Sequence, residues 1–174
     1  MRITYLLAPA FVLTIGVTAV PPASADPTAA TVTVTGGVLS ISVPTDAGNL
    51  GTRANSVGGG TISGPLGQVQ VDDARSAAAG SGWVASAIST AFTPSAGPAI
   101  AASAVGYTAG PIVQVGTATY TANNPANLTG VAPVVTATGI TGHNSAAWNP
   151  SISVAVPGGM AAGVYSATIT HSVL

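Results

Sequence analysis

The sequence predicts an all-β fold, an antiparallel β-sandwich that is Ig-like or jelly-roll-like, and three observations point to it. β-branched residues alternate with Ser, Thr or Ala in many short runs, as half-buried strands require. The chain holds 22 Gly and 13 Pro, and many of them lie between these runs as turn signals. Helical periodicity is nearly absent, while hydrophobic residues make up 47% of the chain, enough to build a core.

The first strands follow directly from local pattern. Residues 31–35 alternate Val with Thr, and residues 39–43 place three aliphatic side chains opposite two serines. Gly36 and Gly37 between these two runs predict a bulge or a bend. Pro44 ends the second run, because proline cannot donate to a strand ladder.

The later strands are predicted by the same alternation between turn residues, and no helix is needed. A helix over residues 74–79 is conceivable from propensity, but the stretch is too short to persist and two glycines border it, so we predict a loop. The predicted strands after the first two are residues 67–72, 82–90, 100–107, 117–121, 132–138, 151–156 and 164–173. The predicted loops are residues 45–60, 93–98, 122–128, 141–149 and 157–163.

The charge content excludes some classes of partner. Charged residues make up 4% of the chain and the formal net charge is −1, against about 25% charged residues in ordinary soluble domains. Such a chain has no basic footprint for phosphate backbones, so we expect no nucleic-acid partner. Cys is absent, so stability must come from the core and the hydrogen-bond ladders instead of disulfides.

The N-terminus predicts export. Arg2 precedes the almost continuously apolar residues 3–20, and small residues at 23–25 resemble a signal-peptidase site. We therefore predict a signal peptide at 1–25 and a single domain at 26–174. A retained membrane anchor is disfavoured, because the apolar run barely reaches the 18 or so residues of a span. With no LPxTG-like sorting signal, we expect a secreted protein held noncovalently at the cell wall or cell surface, with no membrane contact after cleavage.

The exposed edges of the predicted strands have an unusual composition. Their outward residues are Thr, Ser, Asn, Gln and Ala, and Lys and Glu are absent from the whole sequence. Charged side chains, especially Lys, ordinarily protect sheet edges from pairing with other chains. Either other parts of the chain cover these edges, or the edges serve for association with other chains.

Few residues could carry catalysis. A hydrolytic site in the folded part would draw on His143, His171, Asp46, Asp72 and Asp73, and their spacing matches no known motif. We predict that the chain is not an enzyme and has no cofactor. The alternative is a hydrolase that uses His143 or His171 with Asp72.

The carboxylates allow two interpretations. Asp46, Asp72 and Asp73 could converge as oxygen ligands for calcium, but their spacing matches no EF-hand or RTX pattern. The favoured interpretation is that Asp46 and Asp73 make Asx turns, while Asp72 pairs with Arg75 at the surface. We therefore predict no metal site.

Two tryptophans are candidates for different roles. Trp83 lies on one strand face with Ala85 and Ala87, the pattern of a core anchor. Trp148 lies in the loop-to-strand segment 144–150, where an exposed ring could stack on a sugar, although packing in the core or at a hinge is the favoured interpretation.

The last strand has the most specific pattern. From Tyr165 onward, alternate residues through Ile169, His171 and Val173 share one face. The arrangement Tyr165-x-x-x-Ile169-Thr170-His171-x-Val173 resembles the C-terminal motif of WxL-domain bacterial surface proteins. That motif reads Tyr, three residues, an aliphatic, then Thr-Trp-x-Leu.

An upstream segment carries the second part of this resemblance. Gly82-Trp83-Val84-Ala85 is similar to the family's Trp-x-Leu motif, and Phe92 follows where such domains tend to place an aromatic. The sequence departs from the family at Ala85, which replaces Leu, and at His171 and Val173, which replace the second Trp and Leu.

The resemblance implies an exported β-sandwich that binds peptidoglycan or another wall glycan noncovalently. The candidate wall-binding residues are Trp83, Trp148, Tyr165 and His171. If His171 faces inward, a hydrogen-bonded core imidazole is favoured over a ligand or a pH switch. The alternative function is a self-assembling structural subunit of a surface layer or filament, in which poorly charged edges or residues 31–35 pair with neighbouring copies or other surface proteins.

Overall fold

A computed structural model of the chain describes residues 29–75 and 80–174. The predicted signal peptide, residues 1–25, and residues 76–79 of the predicted 74–79 loop lie outside the described residues. All the strands belong to one compact unit, Val34–Leu174. The strands pair antiparallel throughout, which confirms the predicted all-β class.

The larger sheet is organised around one long strand. Its six strands are β1 (Leu39–Ser42), β3 (Val69–Asp73), β4 (Ser81–Ser89), β7 (Ile112–Ala122), β8 (Ala132–Trp148) and β11 (Ile169–Val173). The order is β1-β3-β8-β4-β11, with β7 also paired to β8. Strand β4 pairs with the first half of β8, and β3 pairs with the last residues of β8. Strand β7 pairs with both of these parts of β8, so it lies on the opposite side of β8 from β3 and β4. Strands β1 and β11 lie close together, so the sheet curls toward a barrel.

A smaller sheet packs against this curl. It consists of β2 (Gly60–Pro65), β9 (Ser151–Val156) and β6 (Val105–Thr108), in the order β2-β9-β6. A further pair joins β5 (Thr93–Pro94) to β10 (Tyr165–Ser166). Within the described ranges, the one helical segment is a 3-10 turn at Ala102–Ala104.

The core lies between the two sheets. Alternate residues of β9 and β6 face inward, and the register places Val154 beside Val105 and Ile152 beside Tyr107. The opposing face of the larger sheet combines small and large side chains. The buried residues of that face include Val69, Val71, Trp83, Ala85, Ala87, Ala137, Ile140, Ala146 and Trp148.

Several predicted strands are confirmed with small shifts of their ends. Strand β9 begins and ends where the sequence predicts, and β1, β3 and β4 agree with the prediction to within two residues at either end. These strands have clear alternation bounded by Gly or Pro. The predicted strand at 100–107 is shorter, because the 3-10 turn occupies part of it.

The predicted loop at 141–149 is wrong, because β8 continues through it to Trp148. Gly139 and Gly142 have φ of 64° and 69° in the middle of the strand, which lets the backbone bend there. The polar residues that follow Gly142 have the local composition of a loop. It is held as strand by β3 on one side and β7 on the other.

Two other differences concern the N-terminal half. Residues 31–35 lie outside every described strand, although their alternation is strand-like. Strand β2 is not predicted by the local pattern, because Gly and Pro interrupt its alternation and the strand forms by pairing along β9. Near the C-terminus, the predicted strand at 164–173 divides into β10 and β11, which pair with different partners.

Candidate functional site

The two motif segments lie on neighbouring strands. Strand β11 pairs antiparallel with β4, and the register sets His171 opposite Ala87 and Val173 opposite Ala85. Ala85 and Ala87 are buried and small, so they leave room for the larger side chains of β11 on the same inner face.

Trp83 is a core residue, as the sequence predicts. Its side chain is 2% exposed. The indole Nε1–H donates to Asn144 Oδ1 at 3.2 Å, and the Tyr120 hydroxyl donates to the same oxygen at 3.1 Å. The rings of Trp83 and Tyr120 lie 5.7 Å apart. The indole therefore stabilises the interior and offers no exposed face to a sugar.

Trp148 is also buried, with 2% of its surface exposed. Its Nε1–H donates to the Tyr107 hydroxyl at 2.8 Å, and that hydroxyl lies 3.3 Å from His171 Nε2. Tyr107 belongs to the smaller sheet, whereas its two partners belong to the larger one. The favoured interpretation of Trp148, packing in the core, agrees with this geometry. Nothing in the local pattern around Tyr107 indicates that it joins the two sheets.

The Tyr107 hydroxyl links Trp148 and His171 in one hydrogen-bond chain. An indole N–H can only donate, so the Tyr107 oxygen accepts from Trp148. The same hydroxyl hydrogen-bonds to His171 Nε2, and which of the two donates depends on whether the imidazole proton is on Nε2 or on Nδ1. That Nδ1 is buried and has no hydrogen-bond partner among the described residues.

Burial keeps both rings of this contact neutral at pH 7. Desolvation lowers the pKa of His171 to about 4. Desolvation also raises the pKa of Tyr107 to about 12, against the opposing effect of the Trp148 hydrogen bond. His171 is thus a hydrogen-bonded, partly buried imidazole, packed edge-on against the Tyr107 ring at 5.7 Å.

The depressed pKa of His171 predicts acid-sensitive stability. Because the folded pKa lies below the ordinary value of 6.5, the unfolded chain binds the extra proton first as the pH falls. The free energy of unfolding should therefore be highest above pH 6.5 and should decrease as the pH falls toward 4, measured by urea unfolding at several pH values. In His171→Leu, which cannot be protonated at this position, the dependence between these pH values should be clearly weaker. An equally steep dependence in that variant would contradict the assignment.

His171 and Tyr165 both line a cleft of about 890 Å³, which we call the β11 cleft. Its walls are residues 43–56 on one side and residues 160–168 on the other. Its floor is largely apolar. The floor residues are Ile62, Leu66, Phe92, Ile100, Val154, Val156, Ile169 and His171.

Short local hydrogen bonds shape the wall at 43–56. Asp46 Oδ1 accepts from the Gly48 N–H at 2.8 Å, which confirms the predicted Asx turn, and Asn49 Oδ1 accepts from the Gly51 N–H at 3.0 Å. Arg53 Nη2–H donates to the Gly59 carbonyl at 2.8 Å. These contacts give an irregular segment a defined shape and leave polar groups at the mouth of the cleft.

Tyr165 stands on the opposite wall. Its ring is half-buried, and its hydroxyl donates to the Ala161 carbonyl at 2.9 Å. Of the four candidate wall-binding residues, the structure thus brings Tyr165 and His171 to the cleft and places Trp83 and Trp148 in the core.

The predicted surface pair of Asp72 with Arg75 is wrong. Arg75 donates from Nε and Nη2 to the two carboxylate oxygens of Asp73, each at 2.9 Å. Asp73 and Arg75 are two residues apart, so their side chains share one face of the extended chain, whereas the Asp72 side chain lies on the other face. Arg75 also donates its backbone N–H to Asp73, which confirms the predicted Asx turn there, and the Arg75 hydrogen bond lowers the pKa of that buried carboxyl.

Asp72 pairs with His143 instead, Oδ1 to Nε2 at 2.7 Å, on the exposed face of the larger sheet. These are residues of the hydrolase alternative. In the part of the chain that the structure describes, no Ser or Thr hydroxyl hydrogen-bonds to His143, although Ser40 and Ser145 stand opposite Asp72 in the neighbouring strands. Across residues 29–75 and 80–174, no group of three or more His and Asp side chains is placed to hold a metal ion.

The fold and the cleft define the class: an antiparallel β-sandwich domain whose larger sheet nearly closes and leaves an apolar-floored cleft beside its last strand. Comparison with protein-family models, with curated proteins and with solved structures gave no match. No helix among the described residues has the length and apolar character to cross a bilayer.

Proposed function

We propose that this chain is an exported surface protein that binds peptidoglycan or another wall glycan noncovalently, and that the β11 cleft is the binding site. The observation that carries the proposal is the cleft itself, because about 890 Å³ is within the usual size of ligand sites. The residues of the WxL-like C-terminal motif form part of its wall and floor. Trp83 and Trp148 support the site from the core instead of contacting the ligand.

The chemistry of the cleft suits a wall polymer. Its rim carries the amides of Asn49 and Asn55, which can bond to sugar hydroxyl and acetamido groups, and the half-buried ring of Tyr165 can contact a sugar face. Arg53 supplies a cation at the rim for a carboxylate, such as those of peptide stems. The residues that line the cleft carry one guanidinium, Arg53, and one carboxylate, Asp46, and this balance of charge favours a neutral glycan or short peptide over a polyanion.

Filling the cleft should abolish wall binding without unfolding the domain. Ala54 is exposed and lines the cleft, so Ala54→Trp should weaken co-sedimentation of Asp26–Leu174 with purified peptidoglycan sacculi by at least tenfold. Tyr165→Ala, which removes the aromatic ring that lines the cleft, should also weaken co-sedimentation with the sacculi. The matched control is Ala155→Trp, at an exposed position of β9 that is not part of the cleft.

Circular dichroism and thermal unfolding should show that both Trp variants remain folded. Full binding by Ala54→Trp would remove the cleft as the site. Absence of sacculus binding by the unmodified chain would refute the proposed function.

A second function, that of a structural subunit of a surface layer or filament, is favoured by a separate observation. Val32 and Val34 are 91% and 83% exposed, and they belong to no strand although their sequence alternates as a strand does. Exposed β-prone segments pair readily with the edge of another sheet.

A further inference from the structure

The chain carries a strand-like segment outside its sheets. Residues 29–36, the N-terminal segment, lie outside every described strand and end just before Gly37 and Val38, whose backbone groups already pair with Ala74. Val32 and Val34 occupy alternate positions of one strand face and are 91% and 83% exposed. Alternating valines of this kind bury one face only when a sheet accepts the segment.

The larger sheet offers an edge that would accept such a segment. In the described part of the chain, β7 pairs with β8 alone, so its outer edge is free over Ile112–Ala122. The strand has 11 residues and no charged side chain. Val113 and Val115 are 69% and 66% exposed beside this edge. This long edge with exposed valines lacks the charged side chains that ordinarily oppose strand addition, although register shifts against β8 interrupt its regular ladder between Val115 and Thr119.

We propose that the N-terminal segment of one copy adds as a strand to the outer edge of β7 of a second copy. Backbone hydrogen bonds along β7 would supply affinity, and the valines of the segment would cover Val113 and Val115. Both surfaces are free of charge, so pairing is not opposed by repulsion.

This association is head-to-tail, because the donor and acceptor surfaces differ. Each copy uses its segment on one neighbour and its edge on another, which extends into a chain of subunits unless the rotation closes a ring. The inference deepens the second proposed function and is independent of wall binding at the β11 cleft.

Paired charge substitutions test the contact. In Asp26–Leu174, Val32→Glu with Val34→Glu introduces charge into the donor, and Val113→Lys with Val115→Lys introduces charge into the edge. Each pair should shift the onset of association, measured by light scattering and sedimentation velocity, to at least tenfold higher protein concentration. All four substitutions in one chain should restore association, because opposite charges then face each other across the new strand pair.

Matched controls lie at other exposed valines. Val57 is 97% exposed and Val131 is 67% exposed, and neither belongs to the segment or to β7. Val57→Glu and Val131→Lys should associate as the unmodified chain does. An unmodified chain that stays monomeric at every concentration would overturn both the inference and the second function. Association that the donor and edge substitutions leave unchanged would overturn the inference alone, and sacculus binding of the same variants reports on the first function separately.

Discussion

Trp83→Ala is expected to lower the free energy of unfolding by about 3–5 kcal/mol, the range for truncating a buried Trp. The side chain is 2% exposed, so the substitution leaves a cavity between the sheets. It also removes the Nε1–H donor of Asn144 Oδ1, although the Tyr120 hydroxyl still donates to that oxygen. Urea unfolding followed by circular dichroism measures the effect.

Trp83→Phe is the matched control, because it keeps an aromatic ring and loses the indole donor. Its loss of stability should be clearly smaller than that of the Ala variant. If Trp83 contacted the bacterial cell wall directly, Trp83→Ala would abolish sacculus binding while leaving the free energy of unfolding nearly unchanged. That result would contradict the core position of this indole.

Arg75→Ala is expected to lower the free energy of unfolding by about 3 kcal/mol, the low end of the range for breaking a buried pair. The carboxylate of Asp73 is 0% exposed and would lose the guanidinium that compensates its charge. The Arg75 side chain is 36% exposed, so solvent already moderates the pair, and the higher values of that range are not expected.

The chain offers a matched control for this prediction. Arg53 is exposed and donates to a backbone carbonyl, so Arg53→Ala should change stability by less than about 1 kcal/mol. The double variant Asp73→Ala with Arg75→Ala should be more stable than Arg75→Ala alone, because it no longer buries an unpaired carboxylate. Equal stability of the two Arg variants would show that the Asp73 pair contributes little.

Much of the fold could be predicted because the local alternation of side chains indicates several of the strands. Strand β9 has clear alternation between Pro150 and Pro157, and the structure confirms its bounds. The fold class follows from the same pattern repeated along the chain. The second half of β8 could not be predicted this way, because a polar, Gly-containing run becomes strand only when β3 and β7 hold it from both sides.

The sequence likewise predicted one part of the candidate site and not the other. The sequence indicated Tyr165 and His171 by their alternation on the last strand, and both line the β11 cleft. It could not indicate that residues 43–56 form the other wall of that cleft, because those residues meet β11 only through the curl of the larger sheet. Arg75 pairs with Asp73 and not with Asp72, because the backbone stays extended past Asp73 and residues two apart then share one face.

By itself, the sequence determined the all-β class, the positions of several strands, the core role of Trp83 and the near absence of charged side chains. Local alternation and composition suffice for these, because they depend on neighbours along the chain. Only the tertiary structure decided that Trp148, Tyr107 and His171 form one hydrogen-bond chain between the sheets, that residues 31–35 join no described strand, and that β7 pairs with β8 alone among the described strands. Those outcomes depend on which strands pair across long stretches of sequence, and local pattern does not encode that pairing.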